Sequence, residues 1–532
     1  MIAPRLPDVP AQSSGGGLSL RAAWLAGATG ALALYAATVA PDVLMMDSGE
    51  YQWQTWLFPE IVLPQGLPNL VRVHFNYLVL AKLFGLLVPL GNWAFRINLF
   101  SCVAASIAVG NACALTYALT RCRLATALTF AALALGQTFW EYAVIAEVLS
   151  LQAAMVSAEL LLLYKWGQTR RPGWLVALWA LNGMGSAAHV QNGLGAPVYL
   201  VLTLGALWQG RLNWRQTALC AGVWLAGFTP YLLYVLHEIG TGEGFASGLT
   251  SATVGEYGAR MLQFKPKVLL RGLLSIGLNY PTGLALLCIP GLVQAVRRPL
   301  PRPFVWGWLA VIGVNLVFVM TYDVPDQHSF FVPVYAAAAP LIGLGAVSLL
   351  KSRSRWTIAF VLALLAVPVY AALPAIVRQP AVAKLLPLPA VSQIPYRDPR
   401  EFYLVPWKTG RYNERRYVEE VFKALPPDAV FYCCSTAYDG IRTVQLTESR
   451  RQDVLLNPPA ASLVDLIVRT DSNGVRWARP VFAWAPADQA VPQALTDYCR
   501  AEPRGIVWEM RLPEKPEPLT ARLREEAGGD AK

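Results

Sequence analysis

NLVRVHFNYLVLAKLFGLLVPLGN, residues 69–92, is the stretch on which the fold turns. It is apolar enough to suggest a membrane crossing, yet it carries Arg72, His74, Asn76 and Lys82. Counted as a crossing, it inverts the side assigned to every later connection. Counted as a surface segment, it leaves Lys and Arg in alternate connections throughout, as the positive-inside rule requires. Residues 47–92 are therefore read as one long outer loop that ends in an amphipathic helix on the membrane, with Lys82 reaching to water.

Outward from this stretch, apolar segments lie at 22–40, 94–119, 124–140, 143–164, 174–190, 192–209, 217–237, 268–294, 304–320, 330–350 and 356–374, about eleven spans near the length that crosses a bilayer core. With 55% hydrophobic and 14% charged residues in 532, the chain is read as a polytopic α-helical membrane protein, and a soluble class is excluded. Its net charge of +11 is dispersed over segment ends, which points to topology and not to nucleic acid.

Arg121/Arg123, Lys165/Arg170/Arg171, Arg211/Arg215, Arg297/Arg298/Arg302 and Lys351/Arg353/Arg355 mark the cytoplasmic connections, together with an N-terminal tail, 1–21. The first segment is too long for a signal-peptide core and reads as retained. Asp47, Glu50, Glu141, Glu238, Glu243, Asp323 and Asp326 fall outside, and an odd number of spans puts the C-terminal tail there too.

Within the membrane domain, 22–374, the connection 238–267 is rich in Gly, Ser and Thr and reads as a mobile outer loop or disordered connection. A Pro-rich linker, 375–395, leads to a small extracytoplasmic α/β domain, 396–532. Strands are expected near 429–433, 452–456, from Val481 and at 505–510, with helices over 413–424 and 522–532. The eight cysteines show no metal spacing, and one disulfide from Cys433 or Cys434 to Cys499 is open in an oxidising compartment.

Asp47-Ser48-Gly49-Glu50 carries the first candidate chemistry: two carboxylates three residues apart, facing one way on a helical turn beside Tyr51, Trp53 and Trp56. They read either as a helix cap, with Asp47 or Ser48 as N-cap and Glu50 its partner, or as a catalytic base with its support. Trp140, Glu141 and Glu147 form a second group, and a carboxylate at membrane depth is a functional candidate by default. Asp323, Asp326 and His328 form a third, whose spacing would also suit a metal or a solvated turn; like Trp140, Glu141 and Glu147 they are assigned to substrate binding and no metal site is assigned. His189, Gln191 and Asn192 form a polar stop at the outer rim, read as substrate contacts or as hydrogen bonding in a tight hairpin. Arg72, Arg96, Lys265 and Lys267 are outer-face cations suited to a donor phosphate, although Arg96 also suits a helix-start anchor.

These motifs together resemble the protein O-mannosyltransferase-like family of the GT-C glycosyltransferase superfamily. The likeness rests on Pro41-Asp42, Asp47 to Glu50, Pro64-Gln65-Gly66-Leu67-Pro68, Ala94 to Leu99, Gln137 to Trp140, Ala146 to Leu151, Gly185 to Asn192 and Tyr322 to Tyr335. It implies a GT-C-like enzyme that takes a sugar from a polyprenyl-phosphate carrier on the outer face and passes it to a protein, lipid or glycan. It also implies that Asp47 is the catalytic base, with Glu50 in support, and that Glu147 matches a second acidic position. Where relatives show His-Pro-Pro-Gly, this chain has Leu63-Pro64-Gln65-Gly66. No cofactor is required by this reading, and a divalent ion is left open. The bacterial inner membrane is the expected location. The competing classes are a transporter or flippase, for which Gly183/Gly185 and Pro281-Thr282-Gly283 would be helix breaks, and a non-catalytic scaffold.

Overall fold

The computed structural model describes residues 18–60, 73–241, 244–385, 395–459, 462–463, 469–471, 474–476, 478–485, 490–515 and 517–529. Arg72 and the Leu63–Gly66 motif lie outside them, as do residues 386–394 of the linker expected at 375–395.

The helical body comprises α1 (Leu20–Thr38), α2 (Met46–Leu57), α3 (Phe75–Leu87), α4 (Trp93–Thr120), α5 (Arg123–Ala134), α6 (Gln137–Ala143), α7 (Val148–Thr169), α8 (Pro172–Ala188), α9 (Ala196–Trp208), α10 (Trp214–Thr241), α11 (Phe245–Thr253), α12 (Pro266–Asn279), α13 (Cys288–Arg297), α14 (Arg302–Met320), α15 (Val332–Leu349) and α16 (Arg353–Val377). Polar residues cap where the sequence supplies them: the Ser19 hydroxyl accepts from the Ala22 amide at 3.0 Å and the Asn92 side chain from the Phe95 amide at 2.8 Å.

Among the described residues, seven helices are long and apolar enough to cross a membrane, or eight if the bent pair Pro266–Asn279 and Leu284–Arg297 is one span. The chain is thus a multi-pass helical protein, with fewer helices of that length and apolarity than the eleven spans expected. α1 is not among them, and α5 at 12 residues and α8 at 17 are shorter. The expected 124–140 span breaks after Leu135 into α5 and α6, and the expected 268–294 span bends by 98° at Tyr280 to Gly283.

α4 and α15 are 83% buried and form the centre, whereas α10 and α16 are 22% and 28% buried and turn apolar faces outward. Close approach relies on small residues. Gly183 lies inside unbroken α8 with the Trp224 backbone against it, where a side chain has no room. It is a packing position and not a helix break. The 238–267 connection is largely helical, through the end of α10, α11 and the start of α12, and not irregular.

Residues after α16 form α17 (Pro380–Leu385), α18 (Pro399–Leu404), α19 (Asn413–Ala424), β1 (Val430–Tyr432), α20 (Ser435–Thr447), β2 (Leu455–Leu456), β3 (Arg469–Asp471), β4 (Gly474–Arg476), β5 (Val481–Ala483), α21 (Gln493–Tyr498), β6 (Arg500–Arg504), β7 (Val507–Arg511) and α22 (Glu517–Gly529). The main sheet has the order β2-β1-β5-β7-β6, parallel from β2 to β5 and antiparallel beyond, while β3 and β4 make a separate pair. Buried side chains cover both its faces.

None of the eight cysteines is in a disulfide. Cys433 follows β1 and Cys499 precedes β6, so strands β5 and β7 separate them. At roughly 4.8 Å per strand spacing that gap is about 14 Å, beyond disulfide reach. A packing boundary does not fall at 396. Phe402 belongs to the core of the helical body, with Tyr403 and Trp407 packed against it.

Candidate active site

The loop ahead of α2 is held by side chains from the sequence motifs. Asn98 of α4 donates to the carbonyls of Ala40 and Asp42, each at 3.0 Å, and accepts from Gln52 Nε2 at 2.9 Å. Gln52 in turn accepts from the Leu44 amide at 3.1 Å. The Asp42 carboxylate accepts from Asn92 at 2.7 Å and from Arg415 Nη2 at 2.7 Å. Two motif residues, Asp42 and Asn98, therefore anchor α2 in place.

Met46, the residue before Asp47, has φ +59°, a conformation costly for a side chain of its size. It persists under constraint: Tyr403 donates its hydroxyl to Met46 Sδ at 3.1 Å, and Arg397 Nη2 lies at 3.9 Å. The N-cap is Met45, which makes no side-chain cap bond, so the expected cap at Asp47 or Ser48 does not form. Asp47 is an exposed second residue of the helix. Glu50 accepts from Gln54 Nε2 at 2.6 Å.

Glu141, Glu147 and Asp326 converge with Asp47 around Tyr142. All four carboxylates act on the Tyr142 phenol, whose hydroxyl lies 3.4 Å from His328 Nε2. Burial, with the Asp47 and Asp326 carboxylates, raises Glu147 well above the usual carboxylate range. Glu147 sits at the helix entrance, its amide donating to Ser101 Oγ at 3.1 Å. Enclosure also raises Asp326, whose Oδ2 is 3.4 Å from Ser329 Oγ.

Glu141 is 2% exposed and pairs with Lys408 Nζ at 3.2 Å, and Lys408 is wholly buried. Gln137 Nε2 donates both to Glu141 Oε2 at 3.1 Å and to the Tyr403 carbonyl at 2.7 Å. Trp140 donates to Thr38 Oγ1 at 2.9 Å and packs on Trp407, with ring centroids 5.6 Å apart.

Facing this acidic group is Arg271 of α12. Its Nη2 donates to Asp323 Oδ1 at 2.9 Å and its Nε to Gln327 Oε1 at 2.8 Å, and its charge reaches Asp326 and His328. The Arg271 guanidinium, seconded by Lys265 at 3.4 Å, holds Asp323 below the usual range. Lys267 is exposed on the first turn of α12. Sequence reading passed over Arg271; an arginine within an apolar helix was the available signal.

Other candidates are turned elsewhere. Arg96 donates to the carbonyls of Leu90, Gly85 and Gly91 at 3.1–3.3 Å and closes the α3–α4 turn, contacts that fit the anchoring role. Lys82 does not simply reach to water, since it donates to the carbonyls of Trp56 and Phe58. Asn192 donates to Glu159 at 2.8 Å, in a buried hub with Asn182 and Tyr199. Glu159, inside α7, was likewise unmarked in the sequence reading. Gln191 bonds Asn315 at 3.3 Å and the Phe330 carbonyl at 3.1 Å, and His189 stacks on His74 with centroids 5.0 Å apart.

Asp323, Asp326 and His328 point to three different partners, Arg271, Ser329 and Tyr142. Among the described residues no group of three or more His, Cys, Asp or Glu side chains is arranged to hold a metal ion.

No protein-family profile matches the sequence, and no curated protein matches it. The crystal structure of ArnT from Cupriavidus metallidurans bound to undecaprenyl phosphate is similar, with TM-score 0.60, 17% identity, and coverage of 92% of this chain and 97% of that one. Its apo state gives TM-score 0.61 at 16% identity, over 92% and 96%. The fold is ArnT-like. The likeness spans helical body and tail together. It does not reach the narrower O-mannosyltransferase-like family. A zinc- and sulfate-bound oligosaccharyltransferase from Archaeoglobus fulgidus is more remote, with TM-score 0.46, 14% identity, and coverage of 92% and 73%.

Proposed function

We propose that this protein is an integral-membrane glycosyltransferase, which moves a hexose from a polyprenyl-phosphate carrier to an acceptor hydroxyl on the outer face of a bacterial inner membrane. The observation that carries this reading is the convergence of Asp47, Glu141, Glu147 and Asp326 opposite Arg271. The ArnT-like fold supports it, since ArnT has been crystallised with undecaprenyl phosphate. Kinship with O-mannosyltransferase-like enzymes belongs to the same reading, as do eleven crossings, with α1, α5 and α8 completing the longer helices and the bent pair. The N-terminus is then cytoplasmic and the α/β unit outside, where it is placed to meet the acceptor.

The chemistry follows from the charges. Departure of a phosphate from an anomeric carbon builds positive charge on the sugar ring, which preorganised carboxylates stabilise. The acceptor oxygen forms its bond to that carbon as the bond to the phosphate oxygen breaks. Asp47, the exposed member of the group, takes the hydroxyl proton. Polyprenyl phosphate leaves towards Arg271 and Lys265, with Lys267 and Arg72 as further outer-face cations.

The test is transfer of labelled sugar from polyprenyl-phosphate-hexose to membrane and outer-face material, by wild type and by Asp47→Asn. Loss of a positioned base costs about 10²–10⁴-fold. Full transfer by a folded Asp47→Asn protein sinks the assignment of Asp47. No transfer by folded wild type with several donor sugars favours the transporter class.

A further inference from the structure

The segment 395–408, between the helical body and the α/β unit, contacts Glu141 of the acidic group directly and Met46 beside Asp47. Lys408 Nζ meets Glu141 Oε1 at 3.2 Å and the carbonyl of Val405 at 3.0 Å, with the Phe402 carbonyl as a third acceptor. Its amide donates to the Thr38 carbonyl at 2.9 Å, which pins the segment to the end of α1. Tyr403 reaches both ways: its carbonyl receives Gln137, which also holds Glu141, and its hydroxyl reaches Met46 beside Asp47. A buried charge pair rarely adds net stability over an apolar pair of similar volume. Fold alone therefore gives little reason for a lysine and a glutamate here.

We propose that this segment is a positioning strap for the glycosyl-transfer site, in which Lys408 sets the Glu141 carboxylate and Tyr403 holds the Met46–Asp47 backbone. The inference rests on the glycosyltransferase reading above. It makes the tail an integral part of the site through two residues that need not touch substrate. A displacement of about 1 Å in such a group can cost about 100-fold in rate while binding is unchanged.

The experiment uses full-length protein in lipid nanodiscs, with polyprenyl-phosphate-hexose as donor. Lys408→Met, Glu141→Gln and the double variant are compared with wild type for kcat, donor KM and thermal unfolding. Positioning through Glu141 predicts one shared kcat, lowered about 100-fold, in both single variants and in the double. Donor KM should stay within about twofold, even where the double variant melts like wild type. Recovery of wild-type kcat in the double variant would show a purely structural pair and overturn the proposal. If the Lys408 variants do not fold, Tyr403→Phe decides, since it removes only a hydroxyl. A kcat lowered at least about fivefold at unchanged KM supports the strap, and wild-type kcat overturns it. Absence of transfer by wild type would instead overturn the reading on which the inference rests.

Discussion

Gly49 of the second helix seats Asp439 of α20. A methyl group on Gly49 would lie 2.9 Å from Asp439 Cβ and 2.6 Å from the Leu44 carbonyl oxygen. Trp53 Nε1 donates to Asp439 Oδ1 at 3.0 Å and Thr443 Oγ1 to the Gly49 carbonyl at 3.1 Å, so the helix bearing Asp47 and the α/β unit lock together here. Gly49→Ala should destabilise the protein by about 1–3 kcal/mol through overpacking. Thermal unfolding in detergent measures this, and transfer should fall with it. Unchanged melting would show that the contact can yield.

Arg271→Gln should weaken donor binding, because a charge-assisted hydrogen bond is worth about 1.5–3 kcal/mol, at least tenfold in affinity. Titration with undecaprenyl phosphate reads this directly. Equal affinity for wild type and variant would remove Arg271 from the donor site.

The raised Glu147 carboxyl keeps its proton to a higher pH than an exposed carboxylate does. Transfer that needs Glu147 ionised therefore loses rate as pH falls through that raised value. Asp326 is one of the charges that raise it, so Asp326→Asn should move the acid limb of the rate profile to lower pH. A limb that stays put or moves up would contradict this coupling.

Asn192→Ala should act on stability and not on substrate. It removes a 2.8 Å hydrogen bond to the buried Glu159, a loss of about 1–3 kcal/mol. Folded variant protein should retain wild-type donor KM. A KM raised several-fold would return Asn192 to the substrate site.

Much was legible in one dimension. Apolar runs marked the long helices of the helical body, and strands near 430, 455, 481 and 507 appeared where apolar and aromatic residues cluster. Asp47, Glu141, Glu147 and Asp326 stood out because carboxylates beside apolar helices are costly and therefore conspicuous. Helix breaks were less legible. Leu135-Gly136 divides an apolar run that hydropathy alone treats as continuous, and α20 went unmarked because its Thr, Ile and Val residues favour a strand as readily as a helix.

Composition and residue order by themselves determined the multi-pass helical class and which chemical groups were available, because transfer out of water depends on local sequence. Tertiary structure alone decided the pairing: Lys408 with Glu141 across 267 positions, Arg415 with Asp42 across 373, and Asn192 with Glu159. A buried charge or amide must find its partner in space, and the partner that satisfies it is set by how helices pack and not by distance along the chain.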